Sequence, residues 1–245
     1  MSCSTSRDQL FAESRLHIED FAFDESVAKV FPDMIQRSVP AYATIISMIG
    51  VIAGRYACAD SRCYDLGCSL GAATLSMRHN IRRSGVEIIA VDNAYPMVRR
   101  CKAALETDRS DVPVSVICAD IGDVKIERAS IVVLNFTLQF IDPSKRLDIL
   151  SRIYQGLLPG GVLVLSEKVA FEGSWQNDVF TLLHHDFKRA NGYSDLEISQ
   201  KRAALEKVLM PESIAQHKEN LSDAGFAQCD AWFQCFNFAS MLAIK

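Results

Sequence analysis

The sequence predicts an α/β fold, with a mostly parallel seven-stranded sheet between helices, a helical cap before it, a helical insertion after it and an antiparallel hairpin at the end. Three observations carry this expectation. Short β-branched runs alternate with helical patterns from about residue 61 onward. The first run stops at an acid and turns through glycines into a helix, in Tyr64-Asp65-Leu66-Gly67-Cys68-Ser69-Leu70-Gly71. The last two apolar runs, residues 229–238 and 241–244, stand close enough to pair.

In chain order, residues 26–60 read as helices broken at Pro32 and Pro40, with Ile45, Ile46, Met48, Ile49 and Ile52 on a wide apolar face. Strand one is 62–66 and its helix 71–83; strand two is 86–92 and its helix 96–106. Strands three (114–118) and four (131–136) are apolar enough to suggest burial on both faces. A helix over 144–157 meets Pro159-Gly160-Gly161, and strand five covers 162–166. Residues 171–209 form a mainly helical insertion, and 211–245 hold a final helix and the hairpin. One domain over 1–245 is expected, with the cap in 1–60, the core in 61–168 and the insertion in 169–210.

The net charge of −4 argues against a broad cationic surface for nucleic acid, and the paired basic residues, such as Arg82-Arg83 and Lys201-Arg202, are scattered. No apolar run approaches the roughly 20 residues a membrane helix needs. The N-terminal stretch, with Arg7, Asp8, Glu13 and Arg15, does not read as a secretory leader, so a cytoplasmic protein is expected. The eight cysteines, Cys3, Cys58, Cys63, Cys68, Cys101, Cys118, Cys229 and Cys235, include no zinc-type pair and are expected as reduced thiols.

The glycine turn suits S-adenosylmethionine better than a dinucleotide. Asp65 would repel a pyrophosphate but neutralise the ammonium of a methionyl tail. Gly67 permits the tight turn, and Gly71 lets the next helix pack close to the sheet. Other strand ends add to the pattern: Asp92 could accept from both ribose hydroxyls, Asp120 with the Ile121 backbone could read an adenine edge, and Asn135 could sit near the sulfonium. Any one of these acids taken alone could equally be a cap or turn residue.

In a helix over 196–209, Ile198, Arg202, Leu205 and Leu209 follow one apolar stripe. Arg202 would then need an anionic ligand, a neighbouring subunit's carboxylate or an internal acid; it could instead snorkel to solvent or pair with Glu206. His184-His185-Asp186 reads as one packed and one exposed histidine, with no further ligand to complete a metal site. Ser69 has no evident histidine base.

Phe23-Asp24-Glu25, the run from Val30 to Pro40, the turn itself, Leu134-Asn135-Phe136-Thr137-Leu138-Gln139-Phe140, the run from His184 to Tyr193, Glu197-Ile198-Ser199-Gln200-Lys201-Arg202 and the run from Trp232 to Phe238 together resemble bacterial carboxy-S-adenosyl-L-methionine synthases. The likeness spans nearly the whole chain, with small departures at Ala41 and Val91 and extra cysteines at Cys58, Cys63 and Cys118. It implies a class I methyltransferase, Rossmann-like fold whose reaction joins the carboxyl group of prephenate to the methyl carbon of S-adenosylmethionine, releasing phenylpyruvate. It also implies a cofactor site of Tyr42, Gly67, Cys68, Ser69, Asp92, Asn93, Asp120, Ile121, Asn135 and Arg202, beside the Asp65 inferred from the turn. Arg202 would cross a homodimer interface to meet the product carboxylate, as the one catalytic residue, and no metal is implied. The product would feed a tRNA carboxymethyltransferase that modifies wobble uridine. Two other readings stay open on the residues alone, a conventional methyltransferase acting on a small molecule or RNA and a silent S-adenosylmethionine-binding partner of a tRNA-modifying enzyme.

Overall fold

The structure, a computed structural model, describes residues 6–245, so Cys3 lies outside the described residues. Its elements are α1 (Glu25–Ser38), α2 (Tyr42–Tyr56), β1 (Arg62–Leu66), α3 (Ala72–Asn80), β2 (Glu87–Asp92), α4 (Tyr95–Glu106), β3 (Val114–Cys118), β4 (Ala129–Asn135), α5 (Pro143–Gly156), β5 (Leu157–Lys168), α6 (Ser174–Ala190), α7 (Asp195–Leu205), α8 (Ile214–Asp223), β6 (Gln228–Cys235) and β7 (Phe238–Ile244). The seven strands form one sheet in the order β3-β2-β1-β4-β5-β7-β6. The first five are parallel, and β7 pairs antiparallel with both β5 and β6, as the terminal hairpin required.

β4 is the buried centre. Alternation along it sends Ile131 and Val133 to one face, where Ile45 and Ile49 of α2 and Met77 of α3 cover them. Val132 and Leu134 face Leu150 and Ile153 of α5 and Leu221 of α8. No single helix among the described residues is long and apolar enough to cross a membrane.

Four expectations need correction. Pro32 does not break the cap, because α1 runs through it. A helix-interior proline costs about 3 kcal/mol, which burial of Val27, Val30 and Met34 offsets at about 1.5–3 kcal/mol each. Strand three is not covered on both faces: β3 is the sheet edge, and Ile117 stays 40% exposed. Pro159-Gly160-Gly161 lies inside β5, since the pairing with β4 slips between Ala129 and Ile131 and the strand absorbs these residues as an irregularity. Finally, α7 stops at Leu205 and buries Ile198, Lys201 and Ala204, with Arg202 exposed instead of in an apolar stripe. A buried face spaced by three residues leaves position 202 about 100° away from 201.

Candidate active site

The strand order reverses between β1 and β4, and open parallel sheets form their ligand crevice outside the carboxyl ends of such strands. A cavity of about 300 Å³ opens there. Tyr42, Asp65, Gly67, Cys68, Ser69, Asp92, Asn93, Asp120, Ile121 and Asn135 all line it; of the residues expected from the sequence, Arg202 alone does not.

The turn after β1 is held by its own backbone and by the next strand. Gly67 N–H and Cys68 N–H both donate to Val91 O, at 2.8 and 2.9 Å. Gly67 has φ +83°, and a Cβ there would overlap the Thr137 side chain. Gly71, at φ +85°, serves a different neighbour from the one expected: a Cβ would come within 2.7 Å of Cys101 Sγ, so its bareness seats α3 against α4 more than against the sheet. Asp92 ties the two loops together, accepting from Ser69 N–H at 2.8 Å and Ala94 N–H at 2.9 Å. Each oxygen keeps a lone pair for a ligand hydroxyl. Exposed Asp120 accepts from Gly122 N–H at 2.7 Å, which presents Ile121 to the cavity.

Asp65 is only 1% exposed. Its Oδ2 accepts from Thr74 Oγ1 at 2.5 Å, whereas Oδ1 is buried without a partner among the described residues. Burial pushes its pKa up to about 6, and the Thr74 contacts only partly counter it. Asn135 Oδ1 is likewise buried and unpartnered. The orphaned carboxylate oxygen of Asp65 on this cavity calls for a cationic donor, which the ammonium of S-adenosylmethionine supplies. The residues present therefore fit that group. Tyr42 is pushed up by burial and by Asp65, so its phenol stays protonated near neutrality.

The sequence reading missed a second set of lining groups: Lys168 at the end of β5, His184 and Lys188 on α6, and Lys201 on α7. The strand-end rule that selected Asp65 and Asn135 would have found Lys168 had strand five not been ended at Ser166. His184 donates from Nε2 to Ser38 O at 2.7 Å, and burial drives its pKa down to about 2. It is thus the packed histidine of the pair, with His185 partly exposed. Among the described residues no cluster of three His, Cys, Asp or Glu side chains could hold a metal. Phe21, Phe23, Phe31 and Phe140 add an aromatic wall, with Phe23 and Phe140 edge to face at 5.3 Å.

The N-terminal segment closes over this end. Tyr193 Oη donates to Asp8 Oδ2 at 2.5 Å, Gln200 Nε2 donates to Phe11 O and Glu13 O at 2.9 Å, and Phe21 N–H donates to Ala204 O at 3.0 Å. Arg202 stays outside, yet near enough to Lys168 and Lys188 to depress both.

Known proteins share this architecture. Residues 64–161 match the methyltransferase domain family. Human N-acetylserotonin methyltransferase, solved in complex with S-adenosylmethionine, superposes with TM-score 0.60 at 15% identity over 90% of this chain and 55% of that one. A S-adenosylmethionine-dependent methyltransferase of Leishmania major gives 0.59 at 15% identity over 90% and 78%. At such identities the likeness establishes the fold, which is that of a class I methyltransferase. Sequence similarity goes further: the chain is 58% identical to the carboxy-S-adenosyl-L-methionine synthase of Vibrio vulnificus over 100% of both chains. It is 59% identical to that of a Geobacter species over 97% of this chain and 98% of the relative. Identity at that level over nearly the full length of both chains means that the chain belongs to the carboxy-S-adenosyl-L-methionine synthase family.

Proposed function

We propose that the protein is an enzyme converting S-adenosylmethionine and prephenate into carboxy-S-adenosylmethionine and phenylpyruvate. The observation that carries this reading is the 58% identity, over the whole of both chains, with a relative that bears the synthase name. The product would then serve a tRNA carboxymethyltransferase at the wobble uridine, in the cytoplasm.

S-adenosylmethionine supplies the methyl carbon, whose hydrogens are acidified by the adjacent sulfonium. In this reading Asp65 receives the ammonium, Asp92 the ribose hydroxyls, Asp120 and Ile121 the adenine edge, and Asn135 the region of the sulfonium. Gly67, Cys68, Ser69, Asn93 and Tyr42 shape the wall around them. Prephenate loses its ring carboxyl group and its ring hydroxyl as the ring becomes aromatic, and the departing hydroxide takes the methyl proton to form water. The side chains therefore need to position, desolvate and neutralise more than to shuttle protons. The phenylalanine wall keeps water from a carboxyl group in transit. Arg202, exposed on α7, is assigned to the new carboxylate in the site of a neighbouring subunit, which makes a homodimer the working unit.

The test is incubation of the purified protein with S-adenosylmethionine and candidate acceptors, with and without prephenate, followed by mass spectrometry. Gain of a carboxyl mass on S-adenosylmethionine only with prephenate is expected. S-adenosylhomocysteine would indicate ordinary methyl transfer, and no turnover a binding module.

A further inference from the structure

Three lysines line the same cavity as Asp65 and Asn135, and their charges are unequally answered. Lys201, 6% exposed, lies 3.6 Å from Asp8 Oδ2 and donates to Ser38 Oγ at 3.0 Å. Lys168 and Lys188 have neither an ion pair nor a side-chain hydrogen bond among the described residues. Lys168 follows Glu167, whose carboxylate accepts from Leu138 N–H and Gln139 N–H, so strand alternation turns Lys168 to the other side, into the cavity. Lys188 stands one helical turn beyond His184 on the same face of α6 and is 8% exposed.

A half-buried and a buried lysine sharing one cavity without a counter-charge oppose folding until an anion arrives. The neutral His184 supplies none. Burial, Lys201 and Lys168 hold Lys188 down to about 7, and burial with Arg202 lowers Lys168 too. Perturbed cations in a substrate-sized cavity mark the place of an anion.

We propose that Lys168 and Lys188 bind a carboxylate of the second substrate, and that it is the carboxylate which stays on the product, not the one transferred. This deepens the prephenate reading and rests on it. When the ring carboxyl group leaves as carbon dioxide, the electrons of its carbon–carbon bond pass into the ring as hydroxide departs. Cations clamped on that carboxylate would stabilise it against loss and raise the barrier. The pyruvyl carboxylate keeps its charge from substrate to product, so the lysines can hold it without opposing the chemistry.

The probe is phenylpyruvate, which carries only the retained carboxylate, titrated by calorimetry into the S-adenosylmethionine complex of the full-length protein, alongside steady-state assays with prephenate. Lys188→Met and Lys168→Met should each weaken phenylpyruvate binding and raise the KM for prephenate by about 10- to 100-fold, the worth of a charged hydrogen bond. Affinity for S-adenosylmethionine should stay within about threefold, and Lys188→Arg should recover part of the loss. The thermal midpoint of Lys188→Met should hold or rise, whereas a lysine with a purely structural role would lower it. Unchanged phenylpyruvate binding in both methionine variants overturns the proposal, as does an equal loss of S-adenosylmethionine, which would make these lysines readers of the cofactor's own carboxylate. Should the wild type yield no carboxylated product, the prephenate reading fails by itself, and Lys188-dependent phenylpyruvate binding still decides the subsite.

Discussion

Replacing Asp65 by asparagine should move stability and ligand affinity in opposite directions. Burial raises the pKa of this carboxyl group from 3.8 to about 6. The folded protein thus keeps a proton that the unfolded chain has released between those values, and stability falls as pH rises through that window and is level above it. Two decades of proton affinity amount to about 3 kcal/mol of strain in the ligand-free protein near neutrality. Asp65→Asn removes the charge and keeps an oxygen for the Thr74 hydroxyl, so a gain of about 1–3 kcal/mol is expected, or about 2–10 °C for a chain of this size. The gain should shrink as pH falls from 6 toward 3.8. The same change removes the counter-charge for the ammonium and should weaken S-adenosylmethionine binding by about 10- to 100-fold. Thermal unfolding with and without ligand, at neutral and mildly acidic pH, reads both effects. A destabilised variant that binds S-adenosylmethionine as tightly as the wild type would refute the reasoning.

Gly67→Ala should cost about 1–3 kcal/mol, because φ +83° and the Thr137 side chain both exclude a Cβ; partial recovery by Thr137→Ala in thermal melts would separate the clash from the backbone strain. Arg146→Met should cost about 3–5 kcal/mol in denaturant unfolding, since it strands Glu212, paired at 3.0 Å, and the carbonyls of Ile141 and Met210; a cost under about 1 kcal/mol would show that the buried network contributes little. Arg202→Ala should weaken retention of carboxy-S-adenosylmethionine much more than that of S-adenosylmethionine in parallel calorimetric titrations. Equal loss would remove Arg202 from its charge-reading role.

The residues proposed for the adenosyl half were legible in the sequence as neighbours in one cavity because their placement is local. Asp92 and Asn135 end their strands and Asp65 stands one residue before the end of its own, and a parallel sheet delivers strand ends to one edge whatever the loops do. Of the lysines, Lys168 was missed because strand five was ended too early, and Lys188 and Lys201 because only the fold of the insertion decides which faces of α6 and α7 turn inward. Arg202 shows the cost of reading that face from periodicity: a three-residue spacing buries Lys201 and leaves its neighbour outside. Pro32 and Pro159 mislead for different reasons: the packing of α1 outweighs a proline's local penalty, whereas Pro159 sits exposed at the irregularity where the pairing of β4 and β5 slips.

The two halves also bear on why such a fold would leave methyl transfer behind. A methyl acceptor needs a lone pair beside the sulfonium, and a buried lysine held near 7 offers one while it is neutral. A carboxylate bound by Lys188 reverses this, because the paired ammonium form is favoured, the proton affinity climbs back and the lone pair is gone. The contact that positions an anionic substrate would thereby silence an amine that could otherwise take the methyl group. In the proposed reading, acids at the strand ends hold a cationic cofactor, and lysines from β5 and the insertion hold an anionic partner. In the proposed reaction the methyl carbon then meets a carboxyl group, because the bound carboxylate keeps the lysine amines protonated, while His184 directs its Nε2–H to the Ser38 carbonyl.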